Sequence, residues 1–367
     1  MAPMDDVTDT VFRQIIVSCA VPDVFFTEFV NVDGLQSPGR EKLLHKLRFS
    51  SKEKPILVQL WGKNPENFHK TARQIADGSI LDEINWLTRR SGSSKMLGND
   101  EERTSRTSGT VSEFRKKMTK QFTESDGGVS GSAREQAVAT STSGGFAGVD
   151  LNFGCPVRVV MKNGCGAIMI NNRELVGEII QATREAVGDH FPVSVKTRLG
   201  LKEVDYSWFE FLLKQKLNML TIHGRTASEL SKVPADWGAI GKIRELRDKL
   251  SSSTLIVGNG DVMTRAQGLK FAAKYSLDGI MIGRGVFSDP YVFSESSPWL
   301  TMSKEEKIGL YKNHVQLFGR TWKNNERKVK TLNKFCKIYI NGFDGAKELR
   351  EKLMKASSAE EILKLLK

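Results

Sequence analysis

Cysteine is scarce in this chain, with four among 367 residues (Cys19, Cys155, Cys165 and Cys336). They show no CxxC spacing and no partnering histidine cluster, which argues against a metal site or a disulfide framework and makes a reducing compartment the default. Long apolar runs are lacking too. No stretch approaches the ~18 apolar residues that a membrane-spanning helix needs, and no basic-then-apolar leader opens the chain. A soluble protein of the cytoplasm is therefore predicted. No GxGxxG follows a predicted strand, which argues against a Rossmann dinucleotide site.

Acidic residues are outnumbered, and the formal net charge is +12. From Leu300 to Lys367 there are 16 Lys and Arg against 8 Asp and Glu, so this tail carries +8 of that excess. A basic tail behind a near-neutral body suits a polyanion-binding appendage, because phosphate neutralisation drives nucleic-acid affinity. The apolar fraction of 39% is enough for a packed core.

Residues 1–77 and 146–293 alternate short apolar runs with amphipathic stretches. Strands are predicted at Asp23–Val30, Ile56–Trp61, Gly148–Asn152, Val193–Lys196, Asn218–His223, Leu255–Asn259 and Gly279–Gly283. Helices are predicted at Thr8–Ala20, Pro65–Ala76, Glu174–Val187 and Arg265–Lys274. Repeated strand–helix units indicate a parallel α/β fold. Seven strands are one short of a (β/α)8 TIM barrel, and the missing first strand is expected to precede Met1. Domain boundaries follow: a barrel at 1–77 and 146–297, a Ser/Thr/Gly/Lys-rich insertion at 78–145, and a basic helical domain at 298–367. The insertion is expected to be disordered, since a barrel cannot bury such a segment. The tail is expected to form helices at 304–322, 326–341 and 345–366.

The chemistry-bearing residues fall where predicted strands end, the register in which TIM barrels build active sites. Gln59 ends one strand, Asn152-Phe153-Gly154-Cys155-Pro156 closes another, and Lys196-Thr197-Arg198 a third. His223-Gly224-Arg225, Asn259-Gly260-Asp261 and Gly283-Arg284 follow the last three. Gly260 and Gly283 suit a phosphate site, where glycine lets backbone N–H groups approach an anion, and Arg284 adds a charged donor. An inward Lys196 is costly without an anionic partner. Cys155, in a turn open to a pocket, carries a thiol that is mostly protonated at neutral pH and can serve as an acid. Buried cysteines are commonly just small hydrophobes, and that reading is kept for Cys19, Cys165 and Cys336. His223 is read as a ligand contact, although a satisfied core histidine would look the same.

In order along the chain, these segments resemble the dihydrouridine synthase family. The matching stretches are Met1-Ala-Pro-Met-Asp-Asp-Val-Thr-Asp9 with Phe12-Arg13, Thr27-Glu28, Val58-Gln59-Leu60 and Asp150-Leu-Asn-Phe-Gly-Cys-Pro156. They continue with Val195-Lys-Thr-Arg198, His223-Gly-Arg-Thr226, Gly258-Asn-Gly-Asp261 and Met281-Ile-Gly-Arg284. The resemblance implies a TIM barrel with FMN at its mouth, NADPH as reductant and a helical domain that helps to hold tRNA. It implies that Pro3 and Met4 line the flavin, that Gln59 and Lys196 contact its ring, and that His223 lies beside it. Asn259, Gly260, Asp261, Gly283 and Arg284 then hold the ribityl-phosphate end. Asn152 faces the uracil, Cys155 protonates it, and Arg225 steadies the RNA. The chain departs from the family pattern at Asp5, where a small residue is usual, and in the insertion. A monomer without a membrane partner is expected. Two other readings compete: an FMN-dependent barrel oxidoreductase acting on a small substrate, and a tRNA-binding barrel that has lost catalysis.

Overall fold

The computed structural model of the protein describes residues 1–90, 117, 145–323 and 326–367. The strands are β1 (Phe25–Phe26), β2 (Val30–Asn31), β3 (Ile56–Trp61), β4 (Val149–Phe153), β5 (Val193–Arg198), β6 (Met219–His223), β7 (Leu255–Asn259) and β8 (Gly279–Met281). All pair in parallel in the order β1-β3-β4-β5-β6-β7-β8, with β2 also on β3. The longer helices are α1 (Thr10–Cys19), α2 (Pro65–Ala76), α3 (Ser79–Arg90), α4 (Arg173–Val187), α5 (Tyr206–Leu213), α6 (Trp237–Lys249) and α7 (Arg265–Lys274). In the tail they are α8 (Lys304–Thr321), α9 (Asn333–Tyr339), α10 (Ala346–Lys355) and α11 (Ala359–Leu365). A curled parallel sheet with helices following its strands is the TIM-barrel architecture.

Residues in register across a parallel sheet point to the same face, and the face alternates along each strand. One set of rows runs Leu60–Leu151–Val195–Leu220–Ile256 and packs outward into the large core beneath the helices. The intervening rows point inward. Met219, Leu255, Val257 and Met281 join Ala2, Val24, Phe26 and Leu57 in a separate apolar cluster. In register with them on neighbouring strands stand Gln59, Asp150, Ser194, Asn152, Lys196, Thr221, Arg198, His223 and Asn259. The barrel interior therefore has an apolar part and a polar part, and the polar part lies on β3 to β7.

Two expectations change. The predicted strand Asp23–Val30 is two short pieces. Between them the Thr27 hydroxyl takes the Gln59 N–H at 3.1 Å, while the Glu28 carboxylate, fully buried, turns to an arginine from the tail. The seam between β8 and β1 is spanned by the opening residues: Ala2 N–H donates to Ile282 O and the Met1 amine to Val24 O, both at 2.8 Å. The insertion read as starting at 78 begins instead with helix α3, whose Ile80, Leu81 and Ile84 are buried. Most of its remaining length, 91–116 and 118–144, lies outside the described residues.

In the tail, the helix expected over 345–366 is broken. Ala356 is extended, and Ser358 starts α11 by accepting the Glu361 N–H at 3.1 Å. Capping by Ser with Glu three residues later is a local signature of a new helix start. The segment expected as a helix over 326–341 is a 3-10 turn (Val329–Leu332) leading into α9. The tail packs on the barrel through aromatic contacts, with Phe12 of α1 lying 4.7 Å from Phe335 and 5.8 Å from His314 between ring centroids.

Candidate active site

The turn after β4 holds Cys155 in place through Asn152. The Asn152 side-chain oxygen accepts the N–H groups of Gly154 and Cys155, both at 3.1 Å. Gly154 leaves little room for a side chain, since a Cβ there would sit 3.1 Å from the Thr197 Cα. The Arg198 guanidinium holds the Gly154 carbonyl at 2.9 Å. Gly166, with φ of +67°, lies directly against the Cys155 carbonyl, which also accepts the Ala167 N–H at 3.0 Å. The thiol is half-buried, and burial pushes its pKa up against the opposing pull of Arg198 and Lys196. It is thus kept protonated at neutral pH, as a proton donor requires.

Below this turn, Asp150 is fully buried and binds Gln59 Nε2 at 2.6 Å and the Ser194 hydroxyl at 2.5 Å. Burial raises its pKa to about 6. Lys196, on β5, stands in register with Asn152 of β4 and Thr221 of β6. Burial lowers its pKa to about 8, with Asp150 and Cys155 opposing. Among the described residues its ammonium makes no hydrogen bond. The Thr221 hydroxyl beside it is buried and also without a partner. A buried polar atom is rarely left so, and the Thr221 hydroxyl, next to the half-buried Lys196 ammonium, marks a place for an oxygen-bearing ligand.

Burial, reinforced by Lys196, Arg198, Arg225 and Arg284, pushes the His223 pKa far down and keeps the imidazole neutral. Its Nε2 faces Arg225 at 3.2 Å. A guanidinium can only donate, so Nε2 accepts and the ring proton sits on Nδ1. Arg225, expected to steady RNA, is 2% exposed and spends its other donors on the Val233 carbonyl and the Asp261 carboxylate. The structure places it as a brace against His223.

At the ends of β7 and β8, Gly260 has φ of +133°, and a Cβ there would lie 2.7 Å from that of Ala235. Asn259 donates to the Met281 carbonyl at 2.8 Å and so ties the two strand ends together. Asp261 accepts from Arg225, from the Ala235 N–H and, at 3.0 Å, from the exposed Arg284. Those bonds hold its carboxyl below the usual range against the cost of burial. Gly283 abuts Ala2, so the seam residues and the phosphate-type turn are neighbours. Pro3 is buried and Met4 partly buried, with the Met4 N–H on the Thr8 hydroxyl at 2.9 Å. Asp5 is turned away to pair with Lys46.

The structure thus brings Gln59, Asn152, Cys155 and Lys196 together on β3 to β5, and His223, Asn259, Gly260, Asp261, Gly283 and Arg284 on β6 to β8. Arg198, grouped with Lys196 at a strand end but given no role, belongs to the same interior, as do Asp150, Ser194 and Thr221, which were missed as site residues. Strict alternation in Val149-Asp150-Leu151-Asn152-Phe153 and Val193-Ser194-Val195-Lys196 would have found Asp150 and Ser194.

Such a constellation defines a barrel whose mouth combines a protonated thiol, a half-buried ammonium and a glycine turn flanked by Arg284. The profile of the family described as dihydrouridine synthase matches residues 1–86 and 103–367. A probable tRNA-dihydrouridine synthase of Staphylococcus aureus is 37% identical over all of this chain and 91% of its own length. Probable tRNA-dihydrouridine synthase 2 of Bacillus subtilis is 36% identical over all of this chain and 92% of its own length. The chain belongs to the dihydrouridine synthase family. Among solved structures, the old yellow enzyme from Trypanosoma cruzi is 12% identical, with 79% of this chain and 85% of that one covered and a TM-score of 0.39. No helix among the described residues is long and apolar enough to cross a membrane.

Proposed function

We propose that the chain is a tRNA-dihydrouridine synthase, which reduces the carbon 5–carbon 6 double bond of a uridine in tRNA with FMN and NADPH. The observation that carries this reading is the protonated Cys155 thiol held near the half-buried Lys196 ammonium in the mouth of a barrel of this family. The residues present fit a flavin mononucleotide. The Thr221 hydroxyl lacks a partner in the interior beside Lys196, and the glycine turn at Gly260 has space only for backbone. Gln59, Lys196 and His223, with Pro3 and Met4, would hold the ring. Asn259, Gly260, Gly283 and Arg284 would hold the phosphate, while Asp261, itself anionic, would act by aiming Arg284.

When bound, the flavin supplies hydride to carbon 6 of the uracil. Cys155 Sγ donates the proton to carbon 5 from the thiol that burial keeps protonated. Lys196, cationic below its pKa of about 8, balances negative charge in the interior. Neutral His223 offers Nδ1–H as a donor. A uridine inside folded tRNA has to leave its stack to reach the thiol, and the basic tail supplies the phosphate contacts. The enzyme would work in the cytoplasm, as a monomer.

The test is an anaerobic incubation with FMN, NADPH and unmodified tRNA, read by mass spectrometry of the tRNA. The expected result is a gain of two hydrogens per modified uridine, falling by about 10²–10⁴-fold in Cys155→Ala with FMN still bound. A flavin that NADPH reduces but that leaves tRNA unchanged would overturn the reading.

A further inference from the structure

Asp150 neither reaches the mouth nor touches Cys155, yet it ends an unbroken chain of hydrogen bonds that leads there. An ionised carboxylate can only accept, so Gln59 must turn its Nε2 towards Asp150 and its Oε1 away. That bond is 2.6 Å long. Gln59 Oε1 then accepts from Asn152 Nδ2 at 3.0 Å. Asn152 Oδ1 is left to accept from Gly154 N–H and Cys155 N–H at 3.1 Å each. Were either amide reversed, donor would face donor. At the other end the Ser194 hydroxyl fixes the second carboxylate oxygen at 2.5 Å.

We propose that Asp150 is a positioning residue, whose carboxylate sets the polarity of an amide relay through Gln59 and Asn152 that holds the Cys155 turn. With the carboxylate, which can only accept, at one end and the Gly154 and Cys155 N–H groups, which can only donate, at the other, both side-chain amides are locked in one orientation. Burial inside the barrel, with Asp150 and Gln59 both fully enclosed, keeps water from substituting for a lost partner. The importance of this positioning to catalysis rests on the proposed function; the positioning itself does not.

The relay is read by the rate at which iodoacetamide alkylates Cys155 in the full chain without added FMN, with the site of modification assigned by mass spectrometry. Asp150→Leu removes the acceptor and Gln59→Met removes the link. Each should speed alkylation by about tenfold, the equivalent of about one net hydrogen bond lost at the turn. The double variant should be no faster than either single one, because both cut the same chain. Asp150→Asn keeps an oxygen acceptor and should stay within about twofold of the parent. Unchanged rates in the single variants, or effects that multiply in the double variant, would overturn the proposal. Gln59→Met keeps the Asp150–Ser194 bond and decides the matter alone if Asp150→Leu does not fold. Failure of the parent to bind FMN in a separate titration, with the alkylation cycle as expected, would sink the proposed function and support the relay.

Discussion

Replacing Arg327 with Met should loosen the tail from the barrel, and the size of the effect follows from what the arginine covers. Its guanidinium bonds both oxygens of Glu28 at 2.7 Å and the Asp9 carboxylate at 3.2 Å, and lies 5.5 Å from the Trp322 ring centroid. The side chains of Arg327, Glu28 and Asp9 are 5%, 0% and 6% exposed, so solvent screens them little. Taking one partner from a buried ion pair costs about 3–5 kcal/mol, because a charge is left uncompensated. For a chain of this size that is a melting shift of about 4–6 °C. Burial already raises the Glu28 pKa, with Arg327 opposing, so the variant raises it further. A raised carboxylate pKa means stability that is present at low pH and lost as pH rises through the folded value. The deficit relative to the parent should therefore be larger at pH 8 than at pH 5. Thermal melts at both pH values, followed by circular dichroism, provide the measurement. Glu28→Gln combined with Arg327→Met should recover part of the loss. A shift under about 1 °C at both pH values, or a larger deficit in acid, would refute the reasoning.

Gly260→Ala should weaken FMN binding and cost about 1–3 kcal/mol of stability, from the positive φ and the approach to Ala235; a fluorescence titration and a urea melt check the two effects separately. The Cys155 thiol, raised by burial, should be alkylated more slowly at pH 7.5 than free cysteine, and its rate should climb with pH to beyond the ordinary thiol pKa of about 8.5. A plateau below that value would show that Lys196 and Arg198 outweigh burial.

Much of the barrel was legible because its strands carry local patterns that tertiary structure does not override. Ile56–Trp61 and Leu255–Asn259 were bounded without error, and the residues at strand ends could be placed at one mouth from strand direction alone. Asp23–Val30 failed where a long-range partner intervened: Glu28 is drawn out of the strand by Arg327, some three hundred positions away. Helix α3 was taken for insertion because its apolar face is only a few residues long beside a Ser/Thr-rich texture. The broken tail helix carried its own capping signature in Ser358 and Glu361, which composition alone does not weigh.

The sequence by itself determined the strand–helix alternation, the basic tail and the identity of the groups at the strand ends, since these follow from residue type and spacing. Only the tertiary structure decided their states. Burial keeps the Cys155 thiol protonated, burial and surrounding cations keep His223 neutral, and Asp261 holds Arg225 in the interior. The bonds that Met1 and Ala2 make to Val24 and Ile282 are likewise a matter of neighbours. Desolvation, charge and hydrogen-bond polarity depend on which atoms meet across the barrel, and these meetings are made by the fold.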